Sequence, residues 1–192
     1  MRRWMVGLVL GWVAVSAGAM DVGGVRVEPK VMLEQQVLKL NGAGVRTKYF
    51  IKVYVAALYV PEPSNVASRV VMQPGPKRIQ LALLRGLSSR QWIDAVRQGL
   101  EKNNSPQALV ALQPQQEAFE NIIEAMGEGH AGDGWQLDFI PGVGTQIRMN
   151  GIRKGAPIAG EDFFRALLLI WLGDQPAQDS LKRDLLGGGQ RQ

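Results

Sequence analysis

Apolar and polar positions follow two different periods along this chain, and the switch between them divides it. Period-two alternation marks residues 22–27 and 36–40 as short strands, the second one interrupted by "NGAG". Residues 49–60, "YFIKVYVAALYV", are rich in β-branched and aromatic side chains and give the strongest strand signal, which "PEPSN" stops with two prolines. "RIQLALLR", residues 78–85, is a further strand. The period then changes to that of a helix. Ser88 with Gln91 three residues later forms a capping box, and Trp92, Val96 and Leu100 recur on one face. Ser105-Pro106 opens a second, short helix, and Pro114 opens a third with Phe119, Ile122, Ile123 and Met126 as its apolar stripe. After "GEGHAGDG", strands return in "WQLDFIP" and "TQIRMNGIRKG", where Asn150-Gly151 signals a tight hairpin. Residues 161–172 form an amphipathic helix stopped by Gly173, and residues 178–186 form the last one. Strands, then helices, then a hairpin, then helices predict an α+β fold with a mostly antiparallel sheet.

One stretch departs from simple core patterning. In "LNGAGVRTKYFIKVYVAALYV", counting by twos places Arg46, Lys48, Phe50, Lys52, Tyr54 and Ala56 on one face of a strand. Tyr49, Ile51, Val53, Val55 and Ala57 on the other face read as core. A solvated face with lysine stems lying on aromatics accounts for Lys48 and Lys52. Arg46 differs, because it follows the glycine-rich "GAG" and enters among bulky residues. A guanidinium there requires a planar anion, either an Asp or Glu of the fold or a ligand carboxylate.

Length and composition narrow the class. The chain has 192 residues, 46% of them hydrophobic and 20% charged, which suits one globular domain. It has no cysteine, which removes disulfides, thiolate metal sites and a cysteine nucleophile. At the N-terminus, Arg2 and Arg3 precede an apolar run from Trp4 to Val15, followed by "SAGA". Ala17 and Ala19 occupy the small-residue positions of a cleavage site. A signal peptide over residues 1–19 and a single domain over 20–192 are therefore expected, with a destination outside the cytoplasm, periplasmic or secreted. The apolar run and the later "ALLLIWLG" are both too short to span a bilayer, so no integral span is expected after cleavage. The formal net charge of +5 falls to +3 when Arg2 and Arg3 leave with the segment. That modest, scattered excess makes nucleic acid a poor partner.

Catalytic templates are scarce. His130 is the one histidine and sits in a glycine-rich turn, where a solvated surface role is expected; no metal and no cofactor are predicted. "GVGT" at Gly142 and "GAG" at Gly42 are accounted for by turn geometry. Asp133 and Asp138 are a conceivable carboxylate pair, but surface placement beside a strand end is the expectation.

Four blocks, "LNGAGVRTKYFIKVYVAALYV", "LLRGLSSRQWIDAVRQGLEKN", "FIPGVGTQIRMNG" and "GEDFFRALLLIWLGDQPAQDSLKRDLLG", resemble in order and spacing the chalcone isomerase-like family in its bacterial secreted branch. The resemblance covers residues 40–187. It implies an open-faced β-sandwich: a large antiparallel sheet, helices packed on one side, and a ligand cleft between them. The plant enzymes of this fold close a chalcone to a flavanone, and their arginine after "GAG" corresponds to Arg46. The family's strand threonine falls near Tyr54, its helix tyrosine and asparagine on Trp92 and Gly99, and its late threonine on or near Gln175. Four of five positions thus depart from the enzymes. Other members of the fold resemble fatty-acid binders that keep the arginine beside a strand tyrosine. The resemblance therefore implies a non-catalytic binder of a fatty-acid-like or aromatic carboxylate, with Arg46, Tyr54, Trp92 and, more weakly, Lys52 as ligand-binding residues. The alternative is an intramolecular lyase or isomerase acting on an unknown substrate, with Arg46 as its catalytic residue.

Overall fold

The computed structural model describes residues 18–190; residues 1–17, which carry most of the expected targeting segment, lie outside them. Where one strand was predicted over 22–27, two short ones form a hairpin, β1 (Met20–Val22) and β2 (Val25–Val27). Gly23 and Gly24 turn the chain at φ 61° and 87°, a conformation that glycine adopts without a Cβ penalty. β3 (Lys30–Leu33) leads into β4 (Gln36–Lys48), which is much longer than predicted. "NGAG" does not interrupt it. Gly42 and Gly44 lie inside the strand with no positive φ, so turn geometry is not the reason for them.

A two-residue turn at Tyr49-Phe50 then reverses the chain into β5 (Ile51–Val60). The continuous alternation in the sequence thus spans a hairpin rather than one strand. α1 (Ala67–Met72), which the periodicity does not announce, precedes β6 (Lys77–Leu83). α2 (Ser89–Asn103) starts as predicted: the Ser88 hydroxyl accepts from the Gln91 amide, and the Gln91 side chain accepts from the Ser88 amide. The two helices expected after it are one, α3 (Pro106–Met126), with Pro114 inside. Proline removes an intrahelical hydrogen bond, but at this exposed position water can satisfy the freed carbonyl. The partly buried Leu109 and Leu112 before the proline and the buried Phe119 and Ile123 after it hold the helix on the core from both sides.

β7 (Gly134–Ile140), β8 (Gly144–Met149) and β9 (Ile152–Ile158) complete the sheet, the last two joined by the expected turn with Asn150 and Gly151 at φ 52° and 79°. α4 (Glu161–Leu172) and α5 (Asp179–Leu185) follow, then a short 3-10 turn. The seven strands run in the order β3-β4-β5-β6-β7-β8-β9, each antiparallel to its neighbours. Such a meander needs only short local connections or helical excursions on one face.

The helices share that face. α4 buries most of its surface, with Phe163, Phe164, Leu167, Leu168, Trp171 and Leu172 closed off from water, while Glu161, Asp162 and Arg165 form its polar edge. Tyr54, Ala56, Leu58, Ile79, Leu81 and Leu137 supply the sheet's side of this core. The opposite face of β4 and β5, with Val55, Ala57 and Tyr59, is capped by the β1–β2 hairpin and β3. The face that the alternation marks as polar is therefore the one that meets the helices. Asp138 also departs from expectation. It is fully buried rather than at the surface, where Arg78 grips it through Nε (2.6 Å) and Nη2 (2.7 Å) and Arg148 approaches to 3.4 Å. This pairing ties β6, β7 and β8 together. Asp133 instead holds the turn at His130, accepting from its backbone amide, and His130 is exposed.

Candidate functional site

The hairpin of β4 and β5 positions the two leading candidates. The Tyr49-Phe50 turn sets Lys48 opposite Ile51 and Thr47 opposite Lys52. Continued without a break, that register would place Arg46 opposite Val53. The pairing steps by one between Arg46 and Thr47, so Val53 has no partner of its own and Arg46 faces Tyr54. Directly opposed residues point to the same face of a sheet. The bulge thus brings the guanidinium and the phenol together from adjacent strands.

The same bulge moves Lys52. An extra residue reverses the facing of everything beyond it on that strand. Ile51, Val53 and Tyr54 line the cleft between sheet and helices, whereas Lys52 is exposed and outside its lining. Lys48, on the Arg46 face of β4, lines it instead.

The cleft has a volume of about 590 Å³ and lies between the β4–β5 hairpin, α2 and the segment after α4. All five positions matched to the family's active set meet there: Arg46, Tyr54, Trp92, Gly99 and Gln175. Elements far apart in sequence supply them, and each has a local reason for its place. Trp92 lies one turn into α2 on its buried face and is 3% exposed. Its ring stands edge-on to Tyr54, with centroids 6.4 Å apart, and edge-on to Trp135 at 5.2 Å. Its indole N–H has no acceptor among the described residues. Gly99 marks the closest approach of α2 to α4: a Cβ there would sit 2.8 Å from two carbons of Ile170. Gln175 is held by Asn103, whose side chain accepts from the Gln175 amide and donates to its carbonyl, both at 2.9 Å.

Tyr54 is 6% exposed, and its hydroxyl accepts from Trp171 Nε1 at 3.0 Å. Burial raises its pKa above the ordinary phenol value, against the opposing pull of the Trp171 N–H and of Arg46. The hydroxyl therefore keeps its proton at neutral pH and retains it as a donor. Arg46 is half-buried. Nη1 donates to the Thr47 carbonyl (2.6 Å) and to Gln178 Oε1 (3.1 Å). Gln178, the residue that precedes α5, also accepts from the Thr47 amide at 2.8 Å and donates to the Val45 carbonyl at 3.3 Å. Among the described residues, no carboxylate lies within ion-pair distance of Arg46. The guanidinium is oriented by neutral acceptors and keeps its charge uncompensated.

Further cations border the cleft, Lys48, Arg85 and Lys102, against a single acid, Asp94. Val96, Leu87, Ile170 and Trp171 make the remainder largely apolar. Sequence reasoning did not pick out Trp171 or Gln178. Trp171 is hidden in a continuous apolar run, and no local pattern marks a glutamine 132 residues from the arginine it orients. Among the described residues, no group of three or more His, Cys, Asp or Glu is placed to hold a metal ion.

The profile of the family described as chalcone isomerase-like matches residues 19–187, nearly the whole chain. The chain belongs to the chalcone isomerase-like family. No curated protein matches it. Among solved structures it is similar to an Arabidopsis thaliana fatty-acid binding protein, with a TM-score of 0.64 over 85% of this chain and 92% of the other, at 16% identity. At that identity the likeness establishes the fold. The open-faced arrangement of the family, a large antiparallel sheet with helices on one side, is the architecture described above, and its cleft is where Arg46 and Tyr54 meet.

Proposed function

We propose that this family member is a periplasmic or secreted binding protein that holds a fatty-acid-like or aromatic carboxylate in the cleft without transforming it. The observation that carries the reading is Arg46: a half-buried guanidinium, aligned by Gln178 beside a protonated Tyr54, with no carboxylate partner among the described residues. A ligand carboxylate would accept from Arg46 and from the Tyr54 hydroxyl, while its apolar body lies along Trp92, Val96 and Ile170. The volume of the cleft falls within the range of small-molecule sites. The Arabidopsis protein of the same fold is described as a fatty-acid binder, which supports the ligand class. A non-catalytic role is supported by the residues at the family's other active positions. Trp92 and Gly99 offer no hydroxyl or amide side chain to hold a reacting ketone. Export is supported by "SAGA" and by the start of β1 at Met20, so that cleavage after Ala19 leaves the first strand intact.

Calorimetric titration with a series of straight-chain fatty acids tests the reading. Charge-assisted hydrogen bonds contribute about 1.5–3 kcal/mol each, so Arg46→Ala should weaken binding about 10- to 100-fold. Arg46→Lys should restore only part, because the planar fork is lost. Each added methylene should contribute up to about 0.8 kcal/mol until the cleft is full, and affinity should then level off. Absence of binding by the wild type, or equal binding by Arg46→Ala, rules the carboxylate site out. Chalcone closure in an absorbance assay, lost in Arg46→Ala, would replace the binding reading with an isomerase.

A further inference from the structure

The turn at the tip of the β4–β5 hairpin is chemically out of place. Among the described residues, three two-residue hairpin turns have both central residues at positive φ. Two use the residues that conformation favours, Gly23-Gly24 and Asn150-Gly151. The third uses Tyr49 and Phe50, at φ 48° and 64°. Bulky residues are strained there, because the Cβ crowds the backbone. Nor does burial of the rings offset the strain: Tyr49 is 83% and Phe50 101% exposed, and Ile51 beside them is half exposed. Strain retained at a fully exposed aromatic pair points to a role outside the folding of the chain.

The surroundings indicate what the pair meets. Lys48 and Lys52 flank the turn on its two strands, and both are exposed. Aromatic side chains with adjacent cations suit the boundary of an anionic bilayer, where rings settle among the headgroups and lysines meet lipid phosphates. The tip is also continuous with the cleft, since Lys48, Tyr49, Ile51 and Val53 line it in turn down to Tyr54. We propose that the Tyr49-Phe50 tip docks the protein reversibly on an anionic lipid bilayer and brings the mouth of the cleft to the membrane surface. Passage of ligand between bilayer and cleft along this track rests on the carboxylate reading above; the docking does not.

Sedimentation with vesicles of mixed phosphatidylglycerol and phosphatidylcholine, against pure phosphatidylcholine, tests it on the mature protein. The informative variant is Phe50→Gly, which removes the most exposed ring and supplies the residue that the turn favours, so its melting temperature should not fall. The wild type should bind anionic vesicles more tightly than neutral ones, and less tightly as salt rises. Phe50→Gly should lose about tenfold in partitioning. Lys52→Gln should weaken binding to anionic vesicles and leave neutral ones unaffected. Phe50 lies outside the cleft lining, so Phe50→Gly should bind soluble decanoate like the wild type. Failure of the wild type to bind vesicles, or equal binding by Phe50→Gly, overturns the docking. A concentration-dependent dimer that Phe50→Gly abolishes, without vesicle binding, overturns it too and assigns the tip to a second copy of the chain. Vesicle binding that depends on Phe50, in a protein that fails to take up decanoate, leaves the docking standing and removes the ligand reading.

Discussion

Buried hydroxyls at the two faces of β5 make the protein sensitive to alkali. Tyr59 donates to the Glu28 carbonyl at 3.0 Å, and its pKa is pushed up to about 12, first by burial and then by the Glu28 carboxylate. Tyr54 is raised as well, chiefly by burial. In both cases the folded chain holds a proton that the unfolded chain releases near pH 10. Above that pH the unfolded state binds fewer protons than the folded one, so stability is complete below pH 10 and declines as pH rises toward 12. For Tyr59 the decline amounts to roughly 2–3 kcal/mol at most. Lys77, buried and with its pKa lowered by that burial, works in the opposite direction. Urea unfolding at pH 9 and at pH 11.5 should show a smaller loss for Tyr59→Phe than for the wild type. An equal loss would mean that Tyr59 is ionised in the folded state.

Close approach between elements accounts for glycines that look like breakers or turn formers in the sequence. Gly42 and Gly44 lie in β4 under α5, where a Cβ would come within 2.1 Å of the Asp184 carbonyl and 2.6 Å of its Cβ. Gly99 does the same between α2 and α4. In an isolated helix Gly99→Ala gains about 1 kcal/mol, but here the added methyl meets the buried Ile170 at 2.8 Å. Overpacking of this kind costs about 1–3 kcal/mol. Gly99→Ala should therefore lower the melting temperature, and Gly99→Ala with Ile170→Val should recover part of the loss. A higher melting temperature in the single variant would show that the helices separate freely.

At the scale of the whole molecule, an N-terminal hairpin covers one face of the sheet, and the helices leave a cleft on the other. β1 begins at Met20 and pairs in full with β2, so a chain that starts there keeps both strands. N-terminal sequencing of exported protein from the soluble fraction should read Met-Asp-Val. Retention of Met1 in a membrane fraction would contradict export by cleavage. No helix among the described residues is long and apolar enough to cross a membrane.

What the sequence determined by itself is local. The Ser88–Gln91 capping box, the Asn150-Gly151 turn and the apolar run of α4 act through neighbours a few residues apart, and the elements they predict are present, whereas alternation marks strands but not where a hairpin divides them. The four blocks likewise place the chain in its family, because their order survives without any geometry. Tertiary structure decided the rest, because the deciding contacts join distant residues. Counting by twos grouped Arg46 with Tyr54, but they meet only because a hairpin and a one-residue bulge both intervene, and that bulge sends Lys52 to the other side. The burial of Asp138 could not be read locally either, since its partners Arg78 and Arg148 come from neighbouring strands. Gln178 aligns Arg46 from the start of α5, and a glutamine carries no pattern that announces such a role. A side chain's period is written in its own segment, but its partner is chosen by how the segments pack.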